Sequence, residues 1–416
     1  MEEQKAISQS AQKKKKQNDK KKKKALRASR RHKFLYGLVF APVRLFYRLR
    51  YGFVADRTGA PDCACLILSN HDSDLNMLMT PASFRRMPYI VASEHIFRSG
   101  WVSKLLIWAF DPIPRQKGTT DGACAFRIIK TLRGGDSVLI FAEGQSTFTG
   151  VTLPIHPTIA GMVRAAKVPL VTYRLELGYM ARPRWCKMHR KGDCRGKVVH
   201  VYSVDDIKAM SDEEIAQAVR DDLYFDAFAY QKAALEAGTA SRFRGKRRAE
   251  YLERALYTCP CCKSLCTLKS SDNDFICEKC SFCLTVNEYG LFSPAADGKA
   301  LPFDDIKSWD DWQKEELRLR IESLGDDEPI FRDEAQILIE ISPEHTISEA
   351  ERGTLTLTKT ALTIGKRVFP LEELGELAMC GPQNIDFSYD NQNYELRSEN
   401  IRSGLKYIEA FEIIKQ

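Results

Sequence analysis

The sequence lacks an uncharged hydrophobic run long enough to cross a bilayer. Its most apolar stretch, residues 34–53, is interrupted by one proline and three arginines, Pro42, Arg44, Arg48 and Arg50. Charged side chains are costly in a hydrocarbon core, so the stretch is not typical of a spanning helix. With 44% apolar and 28% charged residues, the composition is that of a globular protein and excludes a polytopic membrane protein.

The first thirty residues also lack the apolar core and the small-residue cleavage site of a secretory signal. We therefore expect a cytoplasmic protein. The cysteine count is odd, 13, and seven of these cysteines lie between Cys259 and Cys283. This crowding favours metal binding in a reducing compartment over a framework of disulfides.

Acidic side chains are scarce at the N-terminus. Residues 1–50 hold 17 Lys and Arg against 3 Asp and Glu, whereas the rest of the chain holds 46 against 52. The lysine runs predict a disordered polybasic arm over residues 1–33. The apolar, arginine-bearing segment 34–54 behind it is typical of an amphipathic element on an anionic membrane surface. We expect peripheral attachment to the cytoplasmic face of a membrane.

Two other interpretations of this N-terminal region remain open. The arm can be a solvated tail without a partner. Alternatively, the aromatic residues of segment 34–54 pack on the protein itself and the arm contacts nucleic acid, which we consider the less favoured partner.

Residues 55–230 alternate short apolar runs with helical stretches, which predicts an α/β domain with helical crossovers. The predicted strands are Cys65–Ser69, Tyr89–Ala92, Ser137–Ala142 and Val168–Leu175. The predicted helices are Trp101–Phe110, Ala123–Leu132 and Thr158–Lys167. Sites in such sheets form beyond the strand ends, and both His71 and Glu143 directly follow a predicted strand.

The second half of the chain has a different organisation. We expect, in order, a helical linker (231–257) that includes a charged helix over Lys246–Leu256, a zinc ribbon (258–292), an acidic linker (293–330) and a small β-rich domain with a C-terminal helix (331–416). Period-two alternation and the turn residues from Asp390 to Asn393 indicate a hairpin in the last domain. Its order of elements resembles pleckstrin-homology and GRAM barrels.

Four motif blocks in residues 34–230 resemble those of the 1-acylglycerol-3-phosphate acyltransferase family. They are Asn70-His71-x-Ser73, Arg115 within Pro112–Gly118, Phe141-Ala142-Glu143-Gly144 and Val168-Pro169-Leu170-Val171. Their order and spacing agree with the family. The resemblance implies a membrane-associated enzyme of phospholipid biosynthesis that moves a fatty acyl group from acyl-CoA or acyl carrier protein to a lysophospholipid hydroxyl. The acceptor it implies is 1-acylglycerol-3-phosphate, and the product is phosphatidic acid.

The resemblance assigns His71 as the general base, because imidazole can take the proton of an attacking hydroxyl near neutral pH. The family's His-x4-Asp pattern supplies a carboxylate that orients the imidazole. Here that position is Asn76, which can orient the ring without stabilising its charge. Asp72 and Asp74 are candidate substitutes, and a degenerate, binding-only site remains an alternative.

Substrate binding is implied for five residues of the same blocks. Arg115 is assigned to the acceptor phosphate, because a planar guanidinium can form two parallel hydrogen bonds with phosphate oxygens. Glu143 and Gly144 belong to the third block, where the glutamate helps to hold the acceptor and the glycine permits close backbone approach. Asn70 and Ser73 flank the histidine. After Gly144 the family has Thr-Arg-Ser, whereas this chain has Gln-Ser-Thr, so a second cation is missing at that point.

The cysteine cluster has the spacing of a zinc ribbon. Two C-x2-C pairs, Cys259/Cys262 and Cys277/Cys280, are separated by fourteen residues, which predicts a tetrahedral site of four thiolates. A shifted set that includes Cys283 remains open. Four thiolates leave no open position for substrate, so the zinc is predicted to be structural. Bracing or protein contact is favoured for this ribbon over nucleic-acid binding.

Overall fold

The computed structural model describes residues 34–93, 100–115, 122–295, 300–342 and 346–416. The predicted polybasic arm, residues 1–33, lies outside this described part.

The N-terminal half is built on a seven-stranded mixed sheet. Its strands are β1 (Val54–Ala55), β2 (Leu66–Ser69), β3 (Tyr89–Ser93), β4 (Ile113–Arg115), β5 (Val138–Phe141), β6 (Leu170–Glu176) and β7 (Arg195–Tyr202). They lie in the order β1-β7-β6-β2-β5-β3-β4. Neighbours pair in parallel except for β6 and β7, which are antiparallel. The prediction of an α/β domain is confirmed.

Helices connect these strands and cover the sheet. They are α1 (34–51), α2 (Asn76–Ala82), α3 (Gly100–Phe110), α4 (Gly122–Arg133), α5 (Ile159–Ala166), α6 (Gly178–Ala181), α7 (Val204–Ala209), α8 (Asp212–Leu223) and α9 (Ala227–Glu236). Helices α7 and α8 each begin with a capping box, in which a serine side chain and an acidic side chain satisfy backbone N–H groups.

The central strands are buried on both faces, as the unbroken apolar runs predict. Successive residues of a strand point to opposite faces. Ile67 of β2 and Leu139 of β5 therefore belong to one hydrophobic cluster, while Leu68 and Ile140 belong to the cluster on the other side. The sheet is sandwiched between two cores, and this fixes the register of its strands.

Helix α1 is apolar on both sides. Four aromatic residues spaced along one face, Tyr36, Phe40, Tyr47 and Tyr51, are buried in the core. The opposite face exposes Phe34, Leu38, Leu45 and Leu49. In the described part of the chain, no helix combines the length and apolar character that crossing a membrane requires.

The four cysteines of the predicted ribbon lie beside a small antiparallel sheet: Cys277 ends one of its strands, and the other three lie in adjoining turns and loops. The strands of this sheet are β8 (Leu268–Ser271), β9 (Asp274–Cys277), β10 (Cys283–Val286) and β11 (Phe292–Pro294), in the order β11-β10-β9-β8. Residues 246–256, expected to be helical, instead form turns and a single 3-10 turn at Leu252–Arg254.

The segment expected to be an acidic linker contains an 18-residue helix, α10 (Ile306–Ser323). Its Trp309 is fully buried among four phenylalanine rings, Phe275, Phe282, Phe292 and Phe303. The Trp309 indole donates to the carbonyl oxygen of Thr258 at 2.9 Å. The helix thus packs into the body of the molecule because one face is apolar, although it lies in an acidic segment.

The C-terminal part is a second seven-stranded sheet, entirely antiparallel. Its strands are β12 (Phe331–Ile341), β13 (Ile347–Leu357), β14 (Ala361–Ile364), β15 (Arg367–Pro370), β16 (Leu377–Cys380), β17 (Asn384–Tyr389) and β18 (Gln392–Ser398), followed by helix α11 (Leu405–Lys415). Their order is β15-β14-β13-β12-β18-β17-β16. Asp390 and Asn391 join β17 to β18 with positive φ angles of 47° and 59°, which a tight hairpin turn requires.

Candidate active site

The predicted blocks meet at the carboxyl ends of β2 and β5. These strands are parallel neighbours, and Ser69 pairs with Phe141 in register. The loops that follow them therefore start side by side. His71 leaves the end of β2 and Glu143 leaves the end of β5, at the edge where ligands bind in open α/β sheets.

The loop after β2 is fixed by its polar side chains. The Asn70 amide donates to the carbonyl oxygen of Leu175 at 2.9 Å and accepts from the Leu175 N–H at 2.7 Å. The Ser73 hydroxyl donates to the carbonyl oxygen of Arg182 at 2.8 Å. Both side chains are buried and lie outside the cavity lining described below. They hold the loop in place here, and their predicted contact with substrate stays a prediction.

Asp72 and Asn76 form a buried pair beneath the loop. The Asp72 carboxylate accepts from the Tyr179 N–H at 3.2 Å, and a Cβ atom on Gly178 would lie 2.6 Å from its oxygen. Position 178 therefore needs glycine. Burial raises the pKa of Asp72, while the Asn76 amide and the nearby backbone N–H groups lower it in part. Asn76, the predicted orienting residue, faces Asp72 here, fully buried and away from the cavity lining.

His71 opens on a cavity of about 310 Å³. Its imidazole stacks on the Phe141 ring with centroids 4.4 Å apart. Its backbone is held on both sides, since its N–H donates to Glu143 Oε1 at 2.6 Å and its carbonyl oxygen accepts from the Thr147 N–H at 3.1 Å. The ring is thereby placed at the cavity wall by contacts that leave it facing the cavity.

Glu143 joins three segments of the site. Its second oxygen accepts from the Leu153 N–H at 2.5 Å, so the carboxyl bridges Leu153 to His71. Burial raises the pKa of Glu143 to about 8, although the two N–H donors lower it in part. Gly144 follows with a φ of 75°, and a Cβ atom there would lie 3.5 Å from Arg115 Nη1. The positive φ favours glycine here, whereas the guanidinium would meet an added Cβ atom only at van der Waals contact.

Arg115 lies at the end of β4 and borders two cavities. It lines the His71 cavity and a neighbouring one of about 330 Å³. Most residues that line the second cavity are apolar: besides Arg115, His156 and Thr158 they are Val91, Cys124, Ala125, Ile128, Ile140, Ala142, Ile159 and Met162. The side chain therefore stands between a cavity rich in charged side chains and a more apolar one.

Of the predicted site residues, the structure brings His71, Arg115, Glu143 and Gly144 together around one cavity. It also places there several residues that sequence reasoning missed: Arg184, Ser146 and, from the C-terminal sheet, Glu376, Ala378, Met379 and Gly381. Arg184 supplies a second cation, the charge that the block after Gly144 lacks. No local motif marks it, because its position depends on contacts far apart in sequence.

The four predicted metal ligands also come together. The Sγ atoms of Cys259, Cys262, Cys277 and Cys280 all lie within 4.8 Å of one another. The separations Cys259–Cys280 and Cys262–Cys277 are 3.6 and 3.8 Å. A Zn–S bond of about 2.3 Å gives a tetrahedron edge of roughly 3.8 Å, so the four thiols fit a zinc ion. Cys283 lies outside this set, as does Cys266, whose sulfur is 3.1 Å from Lys406 Nζ.

Comparison with known proteins supports one part of this assignment. Residues 54–176 match the family model described as Acyltransferase. No curated protein matches the chain. Among solved structures, the chain is similar to the 1-acyl-sn-glycerophosphate (LPA) acyltransferase PlsC from Thermotoga maritima, with 14% identity, 50% of this chain and 79% of that chain covered, and a TM-score of 0.38. The segment that matches the family model contains His71, Arg115 and Glu143.

Proposed function

We propose that the chain is a membrane-surface O-acyltransferase that moves a fatty acyl group from acyl-CoA or acyl carrier protein to the hydroxyl of a lysophospholipid. The acceptor we propose first is 1-acylglycerol-3-phosphate, which yields phosphatidic acid. The observation that carries this proposal is the meeting at one cavity of His71, Arg115 and Glu143, which all lie in the segment that matches the acyltransferase model.

The proposed reaction uses His71 as base and then as acid. The acceptor oxygen attacks the thioester carbonyl carbon while the imidazole takes the hydroxyl proton. The tetrahedral intermediate collapses, the C–S bond breaks, and the imidazolium returns the proton to the departing sulfur. The products are an ester and a free thiol, so atoms and charge balance.

Orientation of the imidazole comes from the fixed loop in this proposal. Asn70 and Ser73 tie the loop to Leu175 and Arg182, and Glu143 holds the His71 N–H. The buried Asp72–Asn76 pair braces the loop from below. A base held in this way loses little entropy on reaching the transition state.

The two cavities divide the acceptor into a polar and an apolar part. Arg115 is positioned to bind the phosphate with two parallel N–H bonds. The apolar cavity beyond it is suited to a hydrocarbon chain, because its lining side chains gain from contact with CH₂ groups. The hydroxyl between these two parts would then reach His71.

Three adjoining helices supply the proposed membrane surface. The exposed apolar side chains are Phe34, Leu38, Leu45, Phe46 and Leu49 of α1, Trp101, Leu105 and Trp108 of α3, and Phe126 of α4. Phe40 of α1 packs edge-on against Phe110 at the end of α3, with centroids 6.0 Å apart. Such a patch beside the exposed arginines Arg48 and Arg50 is suited to an anionic bilayer.

Membrane binding can be tested separately from catalysis. Flotation with vesicles that contain anionic lipid should recover the parent protein and lose most of a Trp101→Ser/Trp108→Ser double variant. Tyr224→Ser is the matched control, because this aromatic residue is 55% exposed at the end of another helix. Equal recovery of all three proteins would contradict the proposed surface.

We also propose a structural zinc ion in the four-cysteine module. Cys259, Cys262, Cys277 and Cys280 would hold it, and with all four positions filled it would stabilise the module and take no part in acyl transfer. The module packs against α10 through Trp309, so the metal would brace the two larger sheets.

One observation favours a second function. The residue at the orienting position, Asn76, is buried against Asp72 and lies outside the cavity lining. A domain with asparagine in place of the family's orienting aspartate could bind lysolipid without turning it over. Such a protein would show acceptor binding and no acyl incorporation.

The deciding experiment incubates purified protein with 1-acylglycerol-3-phosphate vesicles and either acyl-CoA or acylated carrier protein. Parent protein should form phosphatidic acid, and His71→Ala should lose at least a hundredfold in rate with an unchanged unfolding midpoint. Lysolipid binding without turnover would select the binding-only alternative. Undiminished turnover by His71→Ala would remove the proposed base.

A further inference from the structure

The C-terminal sheet forms one wall of the reaction cavity. Glu376, Ala378, Met379 and Gly381 line the same cavity as His71. These residues belong to strand β16 and its flanks, and they lie well outside the matched acyltransferase domain, residues 54–176. The wall is therefore an addition that this chain makes to the family's catalytic domain.

Arg184 holds this wall against the acyltransferase domain. Its guanidinium donates to the carbonyl oxygens of Gly381 at 3.0 Å and Met379 at 3.1 Å. On the other side it donates to the carbonyl oxygen of Ser146 at 2.7 Å and to Gln145 Oε1 at 3.3 Å. Burial lowers the pKa of Arg184 to about 10, so it stays charged at neutral pH. A charged, planar donor that bonds both sides fixes their separation.

Residues from both faces of β16 contribute to the cavity wall. Leu377 and Met379 are buried in the hydrophobic core and pair across to Phe387 and Ile385. Because side chains alternate along a strand, Ala378 points to the opposite face. Ala378 lines the cavity from that face, and Met379 contributes to the same wall beside it. Glu376, one residue before the strand, is exposed and lines it too.

The wall faces the polar part of the acceptor. The His71 cavity is lined by polar side chains from Asp74, Gln145 and Ser146 as well as by Arg115 and Glu143. The apolar cavity lies on the far side of Arg115. A lysolipid with its phosphate at Arg115 and its chain in the apolar cavity would direct any substituent of the phosphate toward β16.

We propose that the pocket accepts a lysophospholipid whose phosphate carries an amine, in addition to the phosphate monoester, and that Ala378 and Glu376 admit it. This inference rests on the proposed function. The methyl side chain of Ala378 leaves room for the substituent. The carboxylate of Glu376 favours a cationic ammonium, while Arg115 binds the phosphate. A zwitterionic head group matches this arrangement of opposite charges.

Turnover of two acceptors with the same acyl chain tests the proposal: 1-acylglycerol-3-phosphate and its ethanolamine phosphodiester. Ala378→Leu should lower kcat/KM for the ethanolamine acceptor about tenfold more than for the monoester. Glu376→Gln, at an exposed site that tolerates substitution, should lower the ratio of ethanolamine to monoester turnover several-fold. Val368→Leu on β15, at the opposite end of the sheet and 58% exposed, is the matched control and should leave the ratio unchanged.

An equal effect of both variants on the two acceptors, or no use of the ethanolamine acceptor by an active parent, would overturn the proposal. If the parent turns over neither acceptor, the proposed function fails, and calorimetric binding of the two lysolipids without donor then decides. A binding ratio that shifts in Glu376→Gln supports the wall. A ratio that is the same in parent and variant overturns it.

Discussion

The reaction cavity and the four-cysteine module have opposite structural requirements. Around the cavity, buried polar groups such as Asp72 and Glu143 keep raised pKa values, and one side of His71 is left facing solvent-accessible space. In the cysteine module, four sulfurs converge on one point and leave no open position. A site that must admit a substrate needs an open cavity, whereas a site that supports the fold has all its ligand positions filled by protein side chains.

The two regions also differ in how much the sequence reveals. The metal ligands lie in two short C-x2-C pairs, so their spacing alone predicted which four cysteines converge. The cavity gathers residues from the loop after β2, from β3, β4 and β5, from the segment after β6 and from β16. Motif order predicted His71, Arg115 and Glu143, but Arg184 and Ala378 carry no local signal because only tertiary packing brings them there.

Removal of the proposed zinc ion is expected to have the largest effect on the free energy of unfolding. Elemental analysis should find one zinc per chain, and chelation or Cys277→Ser should lower the free energy of unfolding by at least about 5 kcal/mol, because zinc binding is coupled to folding. Cys261→Ser is the control, since this exposed cysteine lies outside the ligand set. A chelator that leaves thermal unfolding unchanged would contradict the zinc proposal.

Restoring the family's carboxylate at position 76 should destabilise this chain. Asn76→Asp would bury a second carboxyl beside Asp72, and two like charges without a partner cost about 3 kcal/mol or more at neutral pH. The exchanged double variant, Asp72→Asn/Asn76→Asp, should recover much of the loss in urea unfolding. If Asn76→Asp is as stable as the parent, the two side chains do not form the buried pair described.

Arg115→Lys should weaken acceptor use by about tenfold in kcat/KM, because a lysine cannot make the two parallel bonds of a guanidinium to phosphate. The loss should appear mainly in KM for the lysolipid and spare KM for the acyl donor. Arg133→Lys on the exposed end of α4 is the matched control. A change confined to the acyl donor would assign Arg115 to the donor instead.

The titration of Glu143 should make the free energy of unfolding depend on pH. Because its pKa is raised from 4.5 to about 8 by burial, the folded protein holds a proton that the unfolded chain releases above pH 4.5. This contribution to the free energy of unfolding is complete below about pH 4.5. It is lost as the pH rises from there through 8, at up to about 1.4 kcal/mol per pH unit. The free energies of unfolding of the parent and of Glu143→Gln, measured in urea across this pH range, should diverge accordingly. Parallel curves would show that the Glu143 pKa is ordinary.

The prediction of a linker at α10 was wrong because it relied on charge. The acidic segment that contains the helix suggested a linker, yet Trp309, Gln313, Leu317 and Ile321 recur every four residues and are all buried. That spacing marks one face of a helix. By contrast, the short apolar runs of β2, β3, β5 and β6 were read correctly, because strands buried on both faces leave an unbroken apolar signal.

The bonds of Arg184 have a consequence for the timing of folding. Its carbonyl partners at Met379 and Gly381 lie 195 and 197 residues further along the chain. A ribosome adding roughly 5–20 residues per second needs on the order of tens of seconds to cover that distance. During that interval the acyltransferase domain can fold while its cavity still lacks a wall. The nascent chain would acquire its complete pocket only after β16 has emerged and docked on Arg184.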